Sequence, residues 1–300
     1  MIYTITLNPS IDYFVTLTEF TVGGLNRAES ERIVVAGKGV NVSDALAELS
    51  MPSHSYLFTA GIIGESIEKM AKERGLSAEF IKVNGENRIN VKLLHGEETE
   101  INGRGITITE QALNTLYDRL RAVNADDVIV LSGNVPVFAI ADGFDRLLSA
   151  IRGTGAKAVF DMSGESLLAS LTYEPFLVKP NARELTEAFG ESENACDYFD
   201  LMKRLQERGA KNVAVTLGGK GALLLTERGE KYTALCPKGE ARSSVGAGDA
   251  FVAGFISAYI ATEDMESALK TGVAVGSAKT FGVPLRLAKN YAVQTQLLKE

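Results

Sequence analysis

Two hydrophobic rhythms take turns along the chain. Residues 2–7, 56–60, 127–131, 157–160, 176–178, 213–217 and 222–225 are short, mostly apolar runs. Such runs mark strands buried on both faces. Between them lie longer stretches with apolar residues every three or four positions: 40–49, 65–74, 110–123, 138–151, 182–189, 197–208, 251–260 and 267–281. That spacing predicts helices with one buried face, as with Val42, Ala45, Leu46 and Leu49 in the first. Thr109 is placed to cap one helix, and Gly75 and Gly209 to close two others. Strands alternating with helices of this length predict βαβ units, hence an α/β fold with a mainly parallel sheet covered on both sides. Residues 11–20, 31–35, 90–94 and 98–101 break the alternation. They read as antiparallel strands joined by turns, forming a small sheet set apart from the body.

Composition narrows the function classes. With 300 residues, 45% apolar and 23% charged, the chain suits one large domain carrying a small β appendage. A net charge of −7 argues against nucleic-acid or membrane-surface partners, which favour a basic face. It leaves room for small anions held by local lysines and arginines. Cys196 and Cys236 have no CxxC spacing, so neither a disulfide framework nor zinc is expected, and a reducing cytoplasm is. The start, Met1 to Leu7, reads as a strand and not a signal peptide, and no apolar run is long enough to span a bilayer.

In a sheet of this kind ligands gather at the C-terminal strand ends. Asn8, Ser132-Gly133, Asp161, Lys179-Pro180-Asn181 and Gly218-Gly219 all fall there. Loop tips are rich in such residues anyway. The most specific stretch is Ser244-Val245-Gly246-Ala247-Gly248-Asp249, which opens an apolar helical run. Its glycines permit a tight turn, and the first amides of the helix offer an anion site. Asp249 is either a general base beside that site or a helix cap, and both readings stay open here. A second cluster, Ala36-Gly37-Lys38-Gly39-Val40-Asn41, places a lysine at another helix start. Other nucleotide signatures are absent. Gly219-Lys220 and Gly37-Lys38 are each followed by glycine, so there is no Walker-type P-loop. Gly153 to Ala158 spells G-x-G-x-x-A but follows a helix, the wrong context for a dinucleotide. With only His54 and His95, a histidine metal site is not expected.

These two clusters resemble the signature regions of the ribokinase-like, PfkB-type carbohydrate kinases. Asn181-Ala182-Arg183-Glu184 is similar to that family's N-x-x-E element. Thr4 to Asp12 and Arg88-Ile89-Asn90-Val91-Lys92-Leu93 resemble its 1-phosphofructokinase branch. The resemblance covers essentially the whole chain. It implies a three-layer αβα sandwich with a β lid, formed by segments about 11–36 and 87–103, that pairs subunits into homodimers. It implies transfer of the ATP γ-phosphate to fructose 1-phosphate, with Asp249 as base and the amides of Gly246, Ala247 and Gly248 as anion hole. It assigns Asp12, Gly37, Lys38, Asn41, Arg88 and Ser132 to the sugar phosphate. Lys179, Asn181, Thr216, Gly218, Gly221, Gly246, Gly248, Ala274 and Ser277 fall where the family binds nucleotide. Asn181 and Glu184 are implied to organise Mg²⁺, through water. Glu184 also reads as a first-turn helix carboxylate, and Arg27 as a solvated surface charge. Ser132-Gly133-Asn134-Val135-Pro136 departs from the family's Ser-Gly-Ser-Leu-Pro. Tagatose-6-phosphate kinase and a sugar-phosphate-binding regulator without catalysis are the rival readings. A pure binder has no need of a base such as Asp249.

Overall fold

A computed structural model describes residues 1–96, 98–192 and 196–299. Position 97, inside the expected lid, lies outside the described residues. The body is built on a ten-stranded sheet. Ile2–Thr6 lies at its heart, parallel to Ser53–Thr59 on one side and to Val128–Ser132 on the other. Ala78–Lys82 extends the first side in parallel. Lys157–Asp161, Leu177–Val178 and Asn212–Thr216 extend the other, also in parallel. Ala222–Leu225, Lys231–Ala234 and Leu297–Lys299 finish that edge as antiparallel strands.

Alternate residues of each strand face opposite layers. Ile5, Ile129 and Phe160 pack against the helices Glu110–Leu120, Gly143–Gly153 and Tyr198–Glu207. Ile2, Val130 and Val159 pack against Lys38–Glu48, Ala247–Thr262 and Met265–Thr280. The result is the expected α/β sandwich of three layers. Thr109 caps its helix by accepting from the Ala112 amide at 3.2 Å. The helix start expected at residue 138 is displaced, because Val137–Phe138 pairs with Thr107–Ile108 and the helix begins only at Gly143.

The small sheet comprises Ser30–Ala36, Ser10–Thr16, Arg88–Leu94 and Glu98–Asn102, in that order. One expectation is corrected. Its central pair, Ser10–Thr16 and Arg88–Leu94, is parallel and not antiparallel. The chain leaves for the body after Ala36, builds two helices and two strands there, and returns running in its original direction. The outer strands pair antiparallel, as hairpin connections dictate. Asp12, Asn90 and Asn102 share one face of this sheet by register, while Tyr13, Ile33, Val91 and Ile101 share the other.

Candidate active site

Two helix starts meet at the C-terminal side of the central strands. Gly246 precedes the helix Ala247–Thr262 with φ 74°, a left-handed conformation that favours glycine. Ala247 donates its amide to the Ser244 carbonyl at 3.2 Å. The amides of Gly246, Gly248 and Asp249 have no hydrogen-bond partner among the described residues. The open donors are therefore shifted by one residue from the expected set, with Asp249 replacing Ala247. The capping reading of Asp249 fails, because the helix has no side-chain cap and the Asp249 carboxylate turns away to accept from Asn41 Nδ2 at 2.8 Å.

Asn41 belongs to the second helix, Lys38–Glu48, whose start lies close against the first strand. A Cβ on Gly39 would stand 2.4 Å from Thr6 Oγ1 and 3.2 Å from the Ile5 carbonyl oxygen. Only glycine lets this turn approach so closely. The approach brings Lys38 and Asn41 to the same side of the sheet as Asp249.

Below them lies a buried charge cluster. Asp161, 1% exposed at the end of its strand, takes Lys38 Nζ at 3.1 Å and Lys179 Nζ at 3.3 Å on one oxygen. Its other oxygen is buried without a partner among the described residues. Burial raises the pKa of Asp161, but Lys179 and Lys38 outweigh it and hold the acid below its usual range. Burial likewise opposes the charge on Lys38, yet Asp161, Glu184 and Asp249 hold its pKa above that of an ordinary lysine. Asp249 behaves differently. Burial, reinforced by the negative charge of Asp161, pushes its pKa up to about 6, against the pull of Asn41, Lys38 and Lys179.

A cavity opens beside each of the two helix starts, and Asp249 itself is in the wall of neither. The larger, about 730 Å³, is lined by Ala247 and Gly248 together with Asn181, Thr216, Gly218, Gly221 and Ser277. Ala274 is not brought there; it is fully buried in the helix Met265–Thr280, and Val273, Gly276 and Ser277 of the same helix line the wall instead. Lys179 lies under Gly248, with Nζ 3.3 Å from where a Cβ on that glycine would be. The smaller cavity, about 180 Å³, is lined by Gly37, Lys38, Arg88 and Ser132, joined by Thr6, Asn8, Asn90, Asn102, Gly133 and Asn134. Asp12 sits behind this wall, accepting from Ser10 Oγ at 2.9 Å and Asn90 Nδ2 at 2.8 Å. Arg88 Nε donates to the Asn8 carbonyl at 3.2 Å.

Asn181 and Glu184 form a capping box at the start of Ala182–Phe189. Asn181 Oδ1 accepts from the Glu184 amide at 2.8 Å, and Glu184 Oε2 accepts from the Asn181 amide at 2.9 Å. Glu184 Oε1 points towards Lys38 Nζ, 3.8 Å away. Among the described residues no group of three or more His, Cys, Asp or Glu is placed to hold a metal unaided.

Sequence reasoning gave no role to Asn90 or Thr6 and noted Asn8 and Asp161 only as strand-end residues. A signal existed for two of them. An asparagine inside a strand, as at Asn90, and a carboxylate closing an apolar one, as at Asp161, are disfavoured unless the site uses them.

Residues 5–282 match the pfkB family of carbohydrate kinases. The chain is 42% identical over 289 residues to a 1-phosphofructokinase of Bacillus subtilis, covering 95% of this chain and 94% of that one. It is 35% identical over 280 residues to a 1-phosphofructokinase of Borreliella burgdorferi, covering 93% and 91%. The crystal structure of Escherichia coli phosphofructokinase-2 in complex with fructose-6-phosphate superposes with a TM-score of 0.89 at 24% identity, over 97% of this chain and 98% of that chain, and supports the fold.

Proposed function

Because the chain belongs to the pfkB family of carbohydrate kinases, we propose that it transfers the γ-phosphoryl group of ATP to fructose 1-phosphate, giving fructose 1,6-bisphosphate and ADP. One observation carries the reading. A buried carboxylate with a raised pKa lies beside open helix-start amides that border a large cavity, and it is hydrogen-bonded to Asn41 of the helix whose start, at Gly37 and Lys38, borders a small cationic one. The large cavity is sized for a nucleotide. The small one presents Lys38 and Arg88 to the phosphate that the sugar already carries.

In this reading the sugar hydroxyl points at Asp249. Its oxygen attacks the γ-phosphorus, the bond to the ADP oxygen breaks, and the proton passes to Asp249. The amides of Gly246, Gly248 and Asp249 face the charge of the moving phosphoryl group, and fixed dipoles of this kind need no reorganisation. Lys179 and Lys38, held by Asp161, add positive charge beneath it. Asn41 fixes the rotamer of Asp249 and lowers its pKa towards a useful value for a base at neutral pH.

Mg²⁺ fits these residues as a hydrated ion. Glu184 Oε1 is a hard oxygen donor, and Asn181 orients it through the capping box. Such an ion needs few protein ligands, because it takes phosphate oxygens and keeps its waters. When bound it neutralises charge on the nucleotide phosphates.

The small sheet acts as a lid over the sugar side, and its apolar outer face pairs two copies into a homodimer. We place the enzyme in the cytoplasm, since its two cysteines are not joined in a disulfide. None of its helices among the described residues is long and apolar enough to cross a membrane. The test is an ADP-release assay across fructose 1-phosphate, fructose 6-phosphate, tagatose 1-phosphate and tagatose 6-phosphate. Fructose 1-phosphate is expected to give the highest kcat/KM. Preference for another member, or turnover of none, would overturn the reading.

A further inference from the structure

The small cavity contains more hydrogen-bond acceptors than the phosphoryl transfer uses. Asn8 and Asn90 both line it and are 3% and 6% exposed. Each carboxamide is anchored through its nitrogen. Asn8 Nδ2 donates to the Arg104 carbonyl at 2.9 Å. Asn90 Nδ2 donates to Ser10 Oγ at 3.0 Å and to Asp12 Oδ1 at 2.8 Å. Turning either amide over would set its oxygen against a carbonyl or a carboxylate, so the orientation is fixed by repulsion. Both Oδ1 atoms are left buried with no partner among the described residues.

The fold makes a specific concession to one of them. Gly105 has φ +86°, and a Cβ there would lie 1.9 Å from Asn8 Oδ1. The loop after Glu98–Asn102 thus folds over Asn8 only because it carries glycine at that point. A buried acceptor without a donor keeps the cost of its desolvation, so a ligand that brings a donor is favoured there. Phosphate oxygens bring none at neutral pH. A sugar hydroxyl does.

We propose that Asn8 and Asn90 each accept a hydrogen bond from a non-reacting hydroxyl of the ketose phosphate and so set which sugar is chosen. Lys38 and Arg88 then serve the phosphate, and Asp249 the hydroxyl that reacts. This rests on the sugar-phosphate reading of the cavity, and turnover of fructose 1-phosphate by the unaltered enzyme tests that reading by itself.

With that turnover measured, kcat/KM is compared for the unaltered enzyme, Asn8→Ala, Asn8→Ser and Asn90→Ala. The substrates are fructose 1-phosphate and its 2-, 3- and 4-deoxy analogues. The unaltered enzyme is expected to lose about tenfold or more on the analogue lacking a hydroxyl that either asparagine reads. In the matching alanine variant that loss disappears, so the analogue and fructose 1-phosphate are turned over alike. The other analogues keep their original ratios, and the KM for ATP stays unchanged. Ratios within one preparation do not depend on how much of a variant is folded. A variant that loses the same factor on every substrate, or loses nothing, overturns the assignment of its residue. A purely structural role would give that uniform loss.

Discussion

Asp249 shows how a single side chain is tuned against its surroundings. It is 6% exposed, lies near a second buried acid, and is stabilised in its charged form by one direct side-chain hydrogen bond among the described residues, from Asn41. Its pKa rises from 3.8 to about 6. Between those values the native state binds more protons than the unfolded chain, so this group makes stability fall as pH rises through the window. Above it, the ionised acid is a standing cost. Asp249→Asn is therefore expected to melt at a higher temperature than the parent at pH 7.5, by the equivalent of on the order of 1–3 kcal/mol. The gain shrinks below about pH 4, where the acid is neutral in both states; a gain equal at both pH values would rule out ionisation as its source. The same substitution is expected to lower kcat by about 10²–10⁴ while calorimetry finds ATP affinity nearly intact. In the parent enzyme kcat/KM is expected to decline on the acid side with a midpoint near the Asp249 value of about 6. A profile flat down to pH 5 would remove Asp249 as the base.

At the scale of elements, the site depends on how closely a helix start can approach a strand. The turn Gly37-Lys38-Gly39 sits against Thr6 and Ile5 with no room for a methyl group. Gly39→Ala is expected to lift the helix that carries Lys38 and Asn41. It should lower stability by about 1–3 kcal/mol and raise the KM for the sugar phosphate more than that for ATP. Gly153→Ala is the control: a Cβ there meets nothing within 4 Å, so denaturant melts should show no loss. Equal behaviour of the two variants would mean that the close approach does not matter. Much of this level was legible in the chain. Periodicity located the buried strands and most helices, because local pattern decides both, and the glycine clusters marked both helix starts. What stayed hidden depends on long-range pairing. Nothing between residues 78 and 82 or between 231 and 234 shows that they join the main sheet. The parallel entry of Arg88–Leu94 depends on where the chain has been. Asp161 was legible only as a strand-end residue, and its pairing stayed hidden because its two lysines come from positions 38 and 179. The donor that Ala247 gives up to Ser244 is a matter of turn geometry no motif records.

The whole molecule joins a body built on ten strands to a thin four-stranded sheet with two unlike faces. The face carrying Asp12 and Asn90 borders the smaller cavity, and Asn102 shares it. The opposite face carries a row that crosses all four strands, Ile33, Tyr13, Val91 and Ile101, with Ile89 alongside. Ile33 and Ile101 are more than half exposed in the single chain. An apolar sheet face open to water is a surface that awaits a partner. A second copy offers the same row, so two lids stacked face to face would bury both rows by one two-fold operation. Sedimentation of the purified protein is expected to give a dimer, and the pair Ile33→Asp with Ile101→Asp a monomer. The strands of the small sheet also carry Asp12, Arg88 and Asn90, so loosening them should raise the KM for the sugar phosphate. The larger cavity is lined by residues of the body alone and by none of the small sheet, so the KM for ATP should hardly move. Monomeric parent protein would refute the pairing. A monomeric variant with both constants unchanged would keep the pairing but show that the lid holds its shape alone.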